Sequence, residues 1–174
     1  MPEHARHDIV ALLVHMQTGV PHPGPWSTTG ETLMTIRTAT ARYSGFGKEG
    51  KGAITTQSGV LTDQFYGFNT RFEDEPGTNP EELIAAAHAG CFTMALSFAL
   101  AKAGFSEGTL ETKAAIKLEQ KDGGFTITRS DLTLEATVPG IDPDQFADLA
   151  DEAKKNCPVS KLMTAEVSLA HKLN

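Results

Sequence analysis

Residues 79–104 read NPEELIAAAHAGCFTMALSFALAKAG, and this stretch decides the fold. Asn79 is a good helix N-cap, Pro80 suits the first helical position, and Glu82, three residues after Asn79, completes a capping box. Gly104 is the matching C-terminal stop. The spacing predicts a helix from Pro80 to about Ala103. Residues 83–101 are apolar almost all round, interrupted by little beyond His88, Thr93 and Ser97. Such a helix is buried on most sides, in a core or at a subunit interface. A chain of 174 residues rarely surrounds a helix of about six turns alone, so the helix predicts a dimer.

Around it the pattern is of strands. Met34 opens MTIRTATARYSG, β-branched and alternating, and predicts a strand near 35–44. FGKEGKG is a glycine-marked turn leading to a second strand near 51–57. Residues 58–79 read as a loop with two aromatic anchors, Tyr66 and Phe68. After the helix, strands near 110–120 and 125–138 are joined by KDGG, a strong hairpin signal. Asp142-Pro143 starts a second helix to about Asn156, Pro158 begins a short helical turn, and residues 165–172 close with a strand. The expected fold class is α+β, with antiparallel strands grouped around one long buried central helix. Residues 1–33 differ. VPHPGPWSTTGE lacks either periodicity, so 1–33 read as a poorly ordered N-terminal extension and 34–174 as the folded domain.

The totals exclude several functions. A net charge of −7 argues against nucleic acid or an anionic membrane as partner, because phosphate contacts need a basic surface. No apolar run is expected to span a bilayer, which takes roughly 20 residues. The short apolar stretch at 9–14 lacks the length and the cleavage site of a signal peptide, and two cysteines do not make a secreted disulfide framework. The expectation is a cytoplasmic protein. The cysteines are 66 positions apart (157 − 91), so there is no CxxC unit. The six histidines show no metal-ligand spacing, and there is no phosphate loop or dinucleotide fingerprint, so neither metal nor cofactor is expected.

Two thiols leave inert core, metal ligand or redox chemistry as readings. Cys91 lies mid-helix, where an apolar site raises a thiol pKa above about 8.5 and the helix dipole has faded. A reactive Cys91 therefore needs a cation from elsewhere in the fold. Arg71, in GFNTRFE and flanked by Phe68 and Phe72, is the candidate, because a guanidinium keeps its charge in an apolar cleft. The plain alternative is a surface arginine. Glu81 precedes Cys91 by 10 positions (91 − 81), which places it about 15 Å along a straight helix. It cannot touch the thiol, but it could grip an arginine by a bidentate pair, or simply favour the helix N-terminus. Cys157, in NCPVS, sits at a helix start if Pro158 is a first helical position, and thiols are acidified there. His88 is three residues before Cys91 on the same face, which leaves a Cys-His hydrolase open.

From Met34 onward the sequence resembles the OsmC group of the OsmC/Ohr organic hydroperoxide-resistance family. The carriers are TQSGVL, YGFNTRFE, GTNPEELIAAAHAGCFTMALS, AGF, VPGID and NCPVS, in order. The resemblance implies an intertwined homodimer with two sites at the subunit interface. It implies that Cys91 is the peroxidatic cysteine and Cys157 the resolving one, with Arg71 and Glu81 as the charged pair. The implied activity is reduction of organic hydroperoxides, less well of hydrogen peroxide. Cys91 becomes a sulfenic acid, Cys157 converts it to a disulfide, and an external dithiol, a lipoyl-type thiol among the candidates, restores both. The rivals are a Cys-His hydrolase using His88 and a dimeric binding module without catalysis.

Overall fold

The computed structural model describes residues 34–174, so the reading of 1–33 as an extension lies outside the described residues. Residues Arg37–Asn174 form one compact unit. Its elements in chain order are β1 (Ala39–Ser44), β2 (Lys51–Thr56), β3 (Gln64–Gly67), α1 (Phe68–Phe72), α2 (Pro80–Lys102), β4 (Thr109–Lys121), β5 (Gly124–Thr137), α3 (Pro143–Asn156), α4 (Pro158–Leu162) and β6 (Glu166–Leu173). The α+β class stands.

The strands form two separate three-stranded sheets. In the first, β1 pairs with β2 and β2 with β3, all antiparallel. In the second, β4 and β5 make a long antiparallel hairpin, closed where Lys121 faces Gly124. Asp122 and Gly123, the two turn residues, have φ of 52° and 81°, the left-handed pair that a tight hairpin requires and that Asp-Gly supplies. One pairing corrects the antiparallel expectation: β5 and β6 run parallel, Arg129 facing Glu166. Between them the chain passes through α3 and α4, the crossover of a dozen or more residues that parallel neighbours need.

The core lies between the second sheet and the helices. Along β5, Ser130, Leu132, Leu134 and Ala136 alternate inward and are buried, as the two-residue period of a strand dictates. Against them α2 lays His88, Phe92, Leu96 and Leu100, a stripe at four-residue spacing. Phe146, Ala150 and Ala153 of α3 complete the cluster.

Within one chain α2 is buried on one face only, by the second sheet, α3 and α4, so burial on most sides would take a subunit interface as well. Ala86, Ala87, Gly90, Met94, Ser97, Phe98 and Ala101 remain exposed and form one apolar stripe. By length and hydropathy alone α2 also reaches what a membrane span needs, contrary to the reading that no run does. Its other face, however, is packed on protein and carries the buried His88, as a core helix would. The loop expected over 58–79 contains β3 and α1, four and five residues long and too short to leave a periodic signature.

Candidate active site

Arg71 is held by a small, heavily bonded turn. Thr70 is buried, and its Oγ1 accepts the Gly67 N–H at 2.9 Å and donates to the Thr78 carbonyl at 2.7 Å. Asn79 ties α1 to α2: its amide donates to the Thr70 carbonyl at 3.2 Å, while its Oδ1 accepts the Glu82 N–H at 2.9 Å as the N-cap. Gly77 is required here. A Cβ on it would lie 2.7 Å from Thr70 Cγ2 and 2.8 Å from the Phe65 carbonyl. The expected capping box is half made, since Glu82 Oε2 accepts the Thr78 hydroxyl at 3.2 Å.

So fixed, Arg71 grips Glu81. Nε donates to both carboxylate oxygens at 2.9 and 3.2 Å, and Nη2 to Oε1 at 2.5 Å, a bidentate pair. The guanidinium carbon stands 5.3 Å from the Phe72 ring centroid. Phe72 in turn stacks at 4.9 Å on Phe68 and at 5.0 Å on Phe125. A cleft of about 210 Å³, lined by Tyr43, Tyr66, Phe68, Arg71, Phe72 and Pro80, opens over this arginine. It is mostly aromatic with one cation, which suits an apolar ligand with a polar or ionisable end.

The thiols meet elsewhere on α2. Cys157 is fully buried where α3 ends and α4 begins, its N–H on the Ala153 carbonyl at 2.8 Å and its carbonyl accepting the Lys161 N–H at 3.0 Å. Its sulfur lies 2.9 Å from that of Cys91, which is half-buried. Both are free thiols, within hydrogen-bond reach and outside the bond length of roughly 2.03–2.05 Å. The sequence spacing could not establish this meeting.

The two thiols differ in acidity. Burial pushes the Cys91 thiol up, and its contact with Cys157 adds to that, opposed by the Val159 N–H. Burial also works against ionisation of Cys157, but it is outweighed. The Cys91 contact, the Ser160 N–H and hydroxyl and the Val159 N–H together hold Cys157 below the ordinary thiol range. Arg71 is not among the groups that set the Cys91 pKa within one chain. Its partner Glu81 lies ten residues before Cys91, about 15 Å along the helix axis. The cation that a reactive Cys91 needs is thus built, but one chain does not bring it to the sulfur.

His88 is fully buried and is not paired with Cys91. Its Nδ1 lies 2.7 Å from Ser130 Oγ and its Nε2 2.9 Å from Ser160 Oγ, so both ring nitrogens are occupied by hydroxyls. Burial lowers its pKa and keeps the ring neutral. The Cys-His dyad is therefore not assembled. Sequence reasoning missed Ser130 and Ser160. They lie 42 and 72 residues from His88, and only the packing of β5 and α4 on α2 reveals them. Among the described residues, no cluster of three or more His, Cys, Asp or Glu is placed to hold a metal ion.

Residues 72–172 match the model of the family described as OsmC-like protein. The chain is 52% identical over 133 residues to peroxiredoxin OsmC of Escherichia coli strain K12, covering 76% of this chain and 93% of that protein. It is 31% identical over 119 residues to the organic hydroperoxide resistance protein OhrB of Bacillus subtilis, covering 68% and 85%. The crystal structure of OhrB superposes with a TM-score of 0.59 over 80% of this chain and 98% of that one. A match of this extent, over a chain whose two cysteines meet and whose arginine and glutamate pair, places the protein in the OsmC/Ohr family.

Proposed function

We propose that the protein is a thiol-dependent peroxidase that reduces organic hydroperoxides, and less well hydrogen peroxide, to alcohols or water. The observation that carries this reading is the pair of free sulfurs 2.9 Å apart, one half-exposed and the other buried. Cys91 is the thiol that a substrate can reach. Its thiolate attacks the terminal peroxide oxygen, the O–O bond breaks, and the alkoxide leaves with a proton as an alcohol. Cys91 is then a sulfenic acid with Cys157 already beside it. Cys157 attacks the Cys91 sulfur, the disulfide forms, and the oxygen departs as water. An external dithiol, with a lipoyl-type carrier as the candidate, reduces the disulfide by exchange. No metal or organic cofactor enters these steps.

Arg71 and Glu81 serve the first step from a second copy of the chain. The exposed stripe of α2 is the dimer face, and Gly90 within it leaves open space for a close helix–helix approach. Two α2 helices crossing antiparallel on that stripe would carry the Arg71–Glu81 pair of one protomer toward Cys91 of the other. The aromatic cleft over Arg71 would then receive the hydroperoxide's apolar tail. The reading places the protein in the cytoplasm, in defence against oxidative or osmotic stress.

The test is dithiol-dependent consumption of cumene hydroperoxide by wild type, Cys91→Ser and Cys157→Ser. Activity that vanishes in Cys91→Ser and stops after one turnover at a trapped sulfenic acid in Cys157→Ser supports the reading. Equal activity in all three overturns it.

A further inference from the structure

We propose that His88 is a positioning residue for the resolving thiol: by clamping Ser160 it fixes the one-turn helix α4, and with it Cys157, against Cys91. The proposal rests on the peroxidase reading and assigns the second chemical step a dedicated support.

The geometry is a chain of contacts with a defined direction. Cys157 is the N-cap of α4, and Ser160 follows it by three residues, so both lie in the same turn. Helix α4 spans only five residues and fully buries none of them; Val159, partly buried against the core, is its apolar anchor. Its polar tie to the core is the hydrogen bond between Ser160 Oγ and His88 Nε2 at 2.9 Å. His88 is fixed at its other nitrogen by Ser130 Oγ at 2.7 Å, on the buried face of β5. The imidazole is thus a dry pin between the sheet and α4.

The proton arrangement follows from what each group must do. The Ser160 hydroxyl favours the Cys157 thiolate, and it is free to donate toward that sulfur when its oxygen accepts from His88, that is, when Nε2 carries the hydrogen. Nδ1 then accepts from the Ser130 hydroxyl. The run Ser130 to His88 to Ser160 is satisfied at both links by a neutral imidazole. The same tautomer keeps donors pointed at Cys157, the sulfur that must attack.

Three residues separate His88 from Cys91 on α2. One rigid helix therefore carries the peroxidatic sulfur and also the clamp for the resolving one. The gap between the sulfurs is thus braced from a single turn of α2, in addition to the hold of α3 on Cys157 through the Ala153 carbonyl. In the step itself Cys157 attacks the Cys91 sulfenic sulfur, the S–S bond forms as the S–O bond breaks, and the leaving oxygen takes a proton to become water. Cys157 is oxidised and Cys91 reduced. A thiol displaced from the attack line leaves the sulfenic acid open to a second hydroperoxide and to irreversible oxidation.

The experiment is rapid mixing of reduced full-length protein with one equivalent of cumene hydroperoxide, without reductant. It follows sulfenic acid by dimedone trapping and disulfide by loss of the second free thiol, the first being consumed when the sulfenic acid forms. The variants are Ser160→Ala, His88→Leu and His88→Gln, whose amide nitrogen stands in for Nε2. We expect disulfide formation to slow about tenfold or more in Ser160→Ala and His88→Leu, the scale of a small misplacement of reacting groups. Sulfenic acid formation should slow far less, so that the sulfenic acid accumulates. His88→Gln should recover part of the ratio between the two rates. Ser160→Ala removes one part-buried hydroxyl and keeps every apolar core side chain, and so remains informative if His88→Leu fails to fold. Equal slowing of both steps, or an unchanged ratio in Ser160→Ala, overturns the proposal while the peroxidase reading stands. Failure of wild type to form any sulfenic acid overturns the peroxidase reading itself.

Discussion

Arg71 holds Glu81 through two nitrogens at the start of α2, ten residues ahead of the Cys91 that the charge would have to serve. Within a chain the Cys91 thiol is pushed up by burial, and no cation among the described residues opposes it. A guanidinium brought to the sulfur favours the thiolate, and its loss moves ionisation to higher pH. In Arg71→Ala the rising limb of the pH–rate profile for hydroperoxide reduction should therefore move to higher pH. A limb displaced by one pH unit lowers the rate at a given pH on it about tenfold. Glu81→Gln should displace it less, since the charge stays and only its orientation is lost. Arg71→Lys should not restore the wild-type profile, because an ammonium lacks the fork that meets Glu81. Superimposable profiles would mean that Arg71 does not act on the thiol.

Thr70 gives a second prediction. Its hydroxyl answers the Gly67 N–H and the Thr78 carbonyl in a buried turn. Thr70→Val keeps the shape and leaves both backbone groups unanswered, at a cost of about 1–3 kcal/mol. Urea denaturation should show that loss. Peroxidase activity should fall beyond the loss of folded protein, because the turn that aims Arg71 loosens. A stability loss with full specific activity would mean that the turn does not need Thr70 to place the arginine.

The long elements were legible in the sequence because each carries a repeated physical signal. α2 has an N-cap, a proline and a glycine stop; the β4–β5 hairpin has Asp-Gly at its turn; α3 opens on Asp-Pro. The short ones were not. β3 and α1 together span nine residues (4 + 5), less than either period needs. The parallel pairing of β6 depends on where α3 and α4 return the chain, which no local pattern encodes. At the site, Cys91, Arg71 and Glu81 were legible from chemical need and Cys157 from its place before Pro158. The meeting of the sulfurs, and the serines on His88, are long-range contacts that only the folded chain shows.

His88 should leave a trace in stability as well as in rate. Burial lowers its pKa in the folded state, whereas in the unfolded chain it titrates near about 6.5. Below that value the unfolded state binds the extra proton and the folded state does not. The stability tied to neutral His88 is therefore complete above about pH 6.5. It declines as pH falls from there to the lower folded value. Urea midpoints measured from about pH 7.5 down to about pH 5 should fall in wild type and less in His88→Gln. Parallel declines in the two proteins would show that His88 does not carry the effect.

The sharing of one site between two chains has a direct test by complementation. Cys91→Ser keeps the charged pair and lacks the nucleophile; Arg71→Ala keeps the nucleophile and lacks the charge. Each alone should be impaired. If the pair acts on the partner's Cys91, a mixed dimer holds one complete site and one with neither part. Equal mixing after reversible unfolding should make about half the dimers mixed. Activity should then recover to about a quarter of the wild-type value, above the mean of the two parents. If the arginine instead acts within its own chain, no mixed dimer contains a complete site. Activity would then stay at the mean of the parents, and the antiparallel crossing of α2 helices would have to be abandoned. Placing Met94→Glu and Phe98→Glu on the exposed α2 stripe of both variants supplies the control. These charges should prevent the dimer, as sedimentation would show, and abolish the recovery with it.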